Sequence, residues 1–224
     1  MKIKENEGVG NIVERLQITT QHAVLDIGSG QGRFSRQICD SSPQQFVHLD
    51  FDRIALTALS RLHAEKRYDQ HARMDYLNAD ALGLPFSAAS FDRVICSLVP
   101  YLLPLRPALH ELYRVLKPAG RAYIRVPLLS WGRFWAALQL SSMQMMFYGL
   151  AQLTSGLLFY LTDRQFPNYF LRHDYWACYM PQMRFEQAIR QAGFQIDGLT
   201  IDHPRPKQPS LNLWISKPIS SPSQ

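Results

Sequence analysis

Asp26-Ile-Gly-Ser-Gly-Gln-Gly32 places a carboxylate and three glycines within seven residues. Glycines at the end of a strand let the backbone turn sharply and approach a ligand closely. Two further acids follow, Asp50 and Asp80, each at or just after the end of a short apolar or mixed run that reads as a strand. A carboxylate at the end of the second strand can accept both hydroxyl protons of a ribose. One after the third can accept a hydrogen bond from an adenine amino group. Three acids at three successive strand ends share one edge of a parallel sheet, the edge where open α/β sheets bind ligands.

Charge decides between the nucleotide ligands that such an edge accepts. The dinucleotide fingerprint needs a small residue at position 33, where this chain has Arg33. The carboxylate of Asp26 at the loop mouth repels a pyrophosphate and attracts an ammonium or a sulfonium. The expected ligand is therefore S-adenosylmethionine rather than NAD.

The surrounding elements alternate. Ala23–Ile27, Gln45–Leu49, Asp75–Asn78, Arg93–Leu98 and Arg121–Val126 read as strands, each followed by a helical pattern or a turn. The helical stripes are Ile54, Ala55, Ala58, Leu59 and Leu62 in one segment and Leu105, Ala108, Leu109, Leu112 and Leu116 in another. Pro181 to Gln191 is a last helix, stopped by Gly193. Phe194–Ile201 and Leu211–Ser216 close the chain as an antiparallel pair at one sheet edge. Alternation of this kind predicts a doubly wound, mostly parallel α/β sheet in one domain over residues 1–224. Residues 128–180 form a helical insertion after the fifth strand.

Val24 to Gly32 resembles motif I of class I S-adenosylmethionine-dependent methyltransferases. Asn78-Ala-Asp-Ala-Leu-Gly-Leu-Pro-Phe86, Ser90-Phe-Asp-Arg-Val94 and Glu111 to Gly120 resemble the blocks that follow. Together they are similar to the ubiquinone/menaquinone C-methyltransferase-like subgroup, strongly over residues 20–127 and loosely over 173–217. The resemblance implies a seven-stranded sheet whose last strand is antiparallel. It implies that Gly28, Ser29 and Gly30 pass the methionine moiety, that Asp50 and Phe51 hold ribose and adenine, that Asp80 and Ala81 hold the adenine, and that Cys96 meets the amino group. Two positions depart from the pattern. Ala119 replaces the first of two glycines after Lys-Pro, which suggests a type I turn with Pro118 at its second position. Pro100-Tyr101 stands where the subgroup often has a histidine pair.

Methyl transfer from a sulfonium is a direct displacement, so the protein mainly aligns donor and acceptor. Tyr101, His173 and Asp174 are the polar residues expected near the methyl group, Tyr101 and His173 being the catalytic candidates. Cys96 lacks the Asp-x-Pro-Cys setting of an RNA cytosine nucleophile, and reads as a small buried residue. Phe134 to Thr162 carries no charge and is rich in Met and aromatic residues. Its Gln, Ser and Gly interruptions argue against a membrane span and for two shorter helices broken near Gly149 or Gly156. A lid over a small, apolar or lipid-like acceptor is expected there, in peripheral contact with a membrane, with Arg125 and Arg133 available for an anionic head group.

Net charge supports part of this picture. Residues 1–80 hold 10 Lys/Arg and 11 Asp/Glu, whereas residues 81–224 hold 14 and 7, a net of +7. The arginines form no basic run, so no nucleic-acid partner is expected. Cys39, Cys96 and Cys178 are far apart, in neither a metal-binding nor a disulfide pattern, which suits a cytoplasmic protein. The polar start lacks the apolar core of a signal peptide. Two alternatives stay open: an RNA or protein methyltransferase, and a cofactor-binding scaffold without transfer activity.

Overall fold

The computed structural model describes residues 4–5, 11–66, 72–130, 143–165, 178–205 and 208–219. The strands are β1 Lys4–Glu5, β2 Ala23–Ile27, β3 Gln45–Asp50, β4 Arg73–Asn78, β5 Phe91–Ser97, β6 Leu116–Pro127, β7 Gln195–Arg205 and β8 Gln208–Ser216. The helices are α1 Ile12–Leu16, α2 Ser35–Asp40, α3 Arg53–Lys66, α4 Leu105–Val115, α5 Met143–Thr162 and α6 Gln182–Gln191. One sheet runs in the order β1-β7-β8-β6-β5-β2-β3-β4. The seven strands expected from sequence are present, and two-residue β1 adds a parallel edge pairing beside β7. β8 is antiparallel to both neighbours and enters the sheet between β6 and β7, so β7 lies further towards the edge.

Strand alternation sends successive side chains to opposite faces. Leu25, Ile27, Val47, Leu49, Val94 and Ile124 meet α4 and α6 on one face. Val24, Phe46, Ile95, Tyr123 and Trp214 meet α1 and α2 on the other. The α4 stripe is as the spacing requires, with Leu105, Leu109 and Leu112 no more than 2% exposed. Truncating such a leucine to Ala costs about 2–5 kcal/mol.

The α3 stripe is shifted from the expected one. Leu56, Leu59 and His63 are buried, while Ile54 is 81% and Leu62 41% exposed. His63 takes the inward position because its ring lies under the glycine loop and its Nδ1 meets the Tyr76 hydroxyl at 2.7 Å.

The insertion also differs from its expected form. α5 is one continuous helix through Gly149 and Gly156. Gly156 is a packing position rather than a break, since a Cβ there would collide with the Tyr179 carbonyl oxygen. The helix is held on its inner side: the Tyr179 N–H donates to the Gln152 carbonyl at 3.3 Å, and Phe159 enters the main core. The Leu128–Met180 bridge extends the sheet just beyond β6 and seats α5 beside it. No helix among the described residues is long and apolar enough to cross a membrane.

Arg125 is not a surface cation. It is 1% exposed and its Nη2 donates to Asp202 at 2.9 Å. Position 125 is an inward position of β6, and Asp202 of β7 lies within reach across β8. Arg133 lies outside the described residues.

Ala119 has φ of +61°, which excludes the expected type I turn. The turn is fixed from outside: the Ala119 N–H donates to Lys217 O at 2.9 Å, and the Lys217 N–H to Gly120 O at 3.0 Å. A left-handed conformation costs a non-glycine L-residue roughly 1–2 kcal/mol. Ala119→Gly is therefore expected to stabilise the fold by about 1 kcal/mol, raising Tm by about 2–4 °C in a thermal melt.

Candidate functional site

The loop leaving β2 is tied to the end of β3 by three hydrogen bonds. Gly28 and Ser29 donate their N–H groups to Leu49 O at 2.7 and 3.1 Å. Gly30 donates its N–H to Asp50 Oδ2 at 2.7 Å, and Asp52 donates to Oδ1 at 2.9 Å. Gly28 has φ of +70°, and a Cβ there would collide with Val99 Cγ2, so only glycine lets the loop pass under the β5–α4 connection. At Gly30 the space a Cβ would enter is nearly open, leaving a cradle beside Asp50. The Ser29 hydroxyl is buried and has no hydrogen-bond partner.

Asp26 is 3% exposed. Burial, and then the neighbouring charge of Asp50, push its carboxyl up to about 7. His48 is opposite Asp26 in the strand register but supplies no countercharge. Burial and the nearby His63 hold that imidazole neutral, down at about 3. The pair of acids thus forms a site whose ionised state is stabilised by an incoming cation.

Phe51, Asp80 and Ala81, the residues expected on the adenine side, lie at the same edge. Phe51 is 83% exposed, and Asp80 is exposed with its Oδ1 accepting the Leu82 N–H at 2.9 Å. The Ala79 N–H donates to Asp50 O at 3.2 Å, which draws the β3 and β4 ends together. Ala81 packs against the core near Cys96, which is 4% exposed. Burial and then Asp26 push the Cys96 thiol far up, so it is a neutral filler and not a nucleophile.

Two positioning devices are not evident from the sequence pattern. Asn78 Nδ2 donates to Asp50 O at 3.0 Å and to Phe51 O at 2.7 Å, clamping the two loops. Arg114 donates to Leu84 O and Phe86 O at 2.8 and 2.6 Å, while Glu111 Oε2 accepts the Leu84 N–H at 2.8 Å. The signals that could have found them are a polar Asn ending β4, and Glu and Arg three apart on one helix face.

Tyr101 lies in a short 3₁₀ turn, Pro100–Leu102, after β5. Its carbonyl accepts the Cys178 N–H at 3.0 Å, so the end of the insertion returns beside it. His173 and Asp174 lie outside the described residues. A groove of about 610 Å³ opens between α5 and α6, lined mainly by Leu129, Leu150, Leu153, Leu157 and Met183. It stands beside the end of β6, and none of its lining residues belongs to the loop or the acids. β6 and β2 are two strand spacings apart, about 10 Å.

Residues 24–120, which hold this loop and all three acids, match the family model of a methyltransferase domain. The stretch that holds the site is thus similar in sequence to a methyltransferase domain. Over 102 residues it is 41% identical to the biotin biosynthesis bifunctional protein of Cellvibrio japonicus, covering 45% of this chain and 19% of that protein. Over 103 residues it is 35% identical to the demethylmenaquinone methyltransferase of Thermus thermophilus, covering 45% of each. The chain therefore spans less than half the length of either relative. A solved SAM-dependent methyltransferase of Methanosarcina mazei superposes with a TM-score of 0.68 at 17% identity. That superposition covers 93% of this chain and 98% of the other, so the Rossmann-like methyltransferase fold extends well beyond the matched stretch.

The buried Asp26 gives the fold a pH signature. Its carboxyl titrates near 7 when folded and at the ordinary value of 3.8 when unfolded. The stability this group lends is full below the unfolded value and is lost as pH rises through the folded one. Asp26→Asn is expected to be more stable than the parent at about pH 8, by at most roughly 4 kcal/mol, with the gap closing towards about pH 4. Denaturant unfolding across that range measures it.

Proposed function

We propose that the chain transfers a methyl group from S-adenosylmethionine to a small, apolar acceptor. The observation that carries the reading is the joined unit of glycine loop, buried Asp26 and Asp50 at the carboxyl edge of the sheet. The residues present fit the cofactor on structural grounds. Asp26 is a buried acid without a nearby cation, the Ser29 hydroxyl is buried and unpartnered, and Gly30 leaves open space. Asp26 would attract the ammonium and sulfonium end. Each Asp50 oxygen already accepts one amide and keeps capacity for a ribose hydroxyl. Phe51, Asp80 and Ala81 would enclose the adenine, and Gly28, Ser29, Gly30 and Cys96 the methionine portion.

When bound, the sulfonium would supply an electrophilic methyl group for direct displacement by the acceptor atom, with the demethylated thioether as leaving group. The chain's own task is alignment and exclusion of water. Tyr101 and His173 would face the acceptor, acting as hydrogen-bond partners or as a base where the acceptor carries a proton at neutral pH. The groove between α5 and α6 has no charged lining and would take the apolar part of the acceptor. The Thermus thermophilus relative is named for demethylmenaquinone, a quinone, which is in keeping with such an acceptor. Residues 128–180 would then act as the substrate-binding insertion of a single domain.

Calorimetry is expected to show binding of S-adenosylmethionine and its demethylated product, and none of NAD. Asp50→Ala removes two charge-assisted bonds and should weaken binding by about thirty-fold or more. Binding of NAD, or an unchanged affinity in that variant, overturns the reading. Cofactor binding with no turnover on fractionated lipid extracts supports the scaffold alternative instead.

The groove has its own test. Thr154→Trp fills it from the rim, and is expected to raise the acceptor KM several-fold while the cofactor Kd stays unchanged. Unaltered acceptor kinetics remove the groove from the acceptor site.

A further inference from the structure

α5 is built inside out. Its buried positions are Gly149, Gln152, Ser155, Gly156 and Phe159, which recur at three- and four-residue intervals and form one stripe. The opposite stripe holds Met143 (71% exposed), Phe147 (61%), Leu157 (51%), Leu158 (45%) and Leu161 (64%). A surface helix of a protein surrounded by water has the reverse arrangement. Here Gln152 and Ser155 face the fold together with Phe159, while Met143, Phe147, Leu157, Leu158 and Leu161 face away from it. The stripe continues across the groove to Met183 of α6, which is also 71% exposed.

The charges beside this stripe are unbalanced. Arg106 and Arg184 both pair with Asp163, at 3.0 and 3.8 Å, at the C-terminal end of α5. Arg164 follows, exposed, with no acid among the described residues paired to it. Two guanidiniums thus share one carboxylate, and a third stands beside them, at the rim of an uncharged apolar face. We propose that the outer face of α5 docks on an anionic phospholipid leaflet, with Leu157, Leu158 and Leu161 inserted and Arg106, Arg164 and Arg184 at the phosphates. Apolar insertion with a basic rim is the pattern of an interfacial helix.

Charge selects this occupant over a second copy of the chain. Residues 81–224 carry a net of +7, so two copies meeting there bring like charges together, whereas an anionic leaflet is attracted. The inference extends the proposed function, because a leaflet is where an apolar acceptor is concentrated and the groove opens on the same side. It does not require that reading to hold.

The test uses the full chain and unilamellar vesicles, either of phosphatidylcholine alone or with phosphatidylglycerol added. The protein should co-sediment with the anionic vesicles, remain in solution with the neutral ones, and be released by high salt. Arg164→Gln should lower the partition coefficient onto anionic vesicles about five-fold. Leu157→Glu combined with Leu161→Glu should abolish binding, while calorimetric binding of S-adenosylmethionine stays unchanged and reports an intact fold. Failure of cofactor binding in the parent would touch the proposed function alone. The docking surface is overturned if the parent ignores anionic vesicles, or if the double variant binds them as well as the parent. It is equally overturned if sedimentation velocity shows a dimer that the double variant splits and vesicles do not compete for.

Discussion

The Gly30 N–H donated to Asp50 at 2.7 Å joins two strand ends into one site. The same carboxylate accepts the Asp52 N–H and, through its charge, raises the carboxyl of buried Asp26. Everything else at the edge serves this joint. Gly28 lets the loop pass under Val99, and Asn78 fixes the backbone of Asp50 and Phe51. Arg114 and Glu111 hold the turn that follows Asp80. A single buried anion without a countercharge is costly. Burial accordingly holds the Asp26 carboxyl up at about 7, and an incoming cation would favour its ionised form.

The fold supplies the remaining constraint by deciding what can cover the site. Both sheet faces are already filled, by α4 and α6 on one side and by α1 and α2 on the other. The insertion after β6 reaches the main core through Leu128, Phe159, Cys178 and Met180 and leaves other apolar side chains outside it. α5 turns Gln152, Ser155, Gly156 and Phe159 inward, where Gly156 and Gln152 fit against Tyr179, and leaves Leu157, Leu158 and Leu161 exposed. The arrangement creates the groove and the exposed apolar face together.

The sheet, the glycine loop and the spacing of Asp26, Asp50 and Asp80 are legible in the sequence because strand ends and loop composition are local properties. Features set by contacts between distant segments are not. The inward face of α3 includes His63, whose burial comes from the glycine loop and Tyr76 and not from hydropathy, so a purely apolar stripe misplaces Ile54 and Leu62. The glycines of α5 look like helix breaks in sequence and are close-packing positions in space. Arg125 looks like a surface cation because its partner Asp202 lies 77 positions away. Ala119 adopts a glycine-like conformation only because Lys217 holds the turn from the other end of the chain.

Proton linkage gives the sharpest check on this site. If the buried acid beside the glycine loop meets the cationic end of S-adenosylmethionine, cofactor binding must ionise Asp26. Calorimetry near pH 7 in two buffers of different ionisation enthalpy counts the protons exchanged. Release of about half a proton per cofactor is expected, and its loss in Asp26→Asn. Binding with no proton release, or the same release in that variant, would contradict a cationic ligand at Asp26.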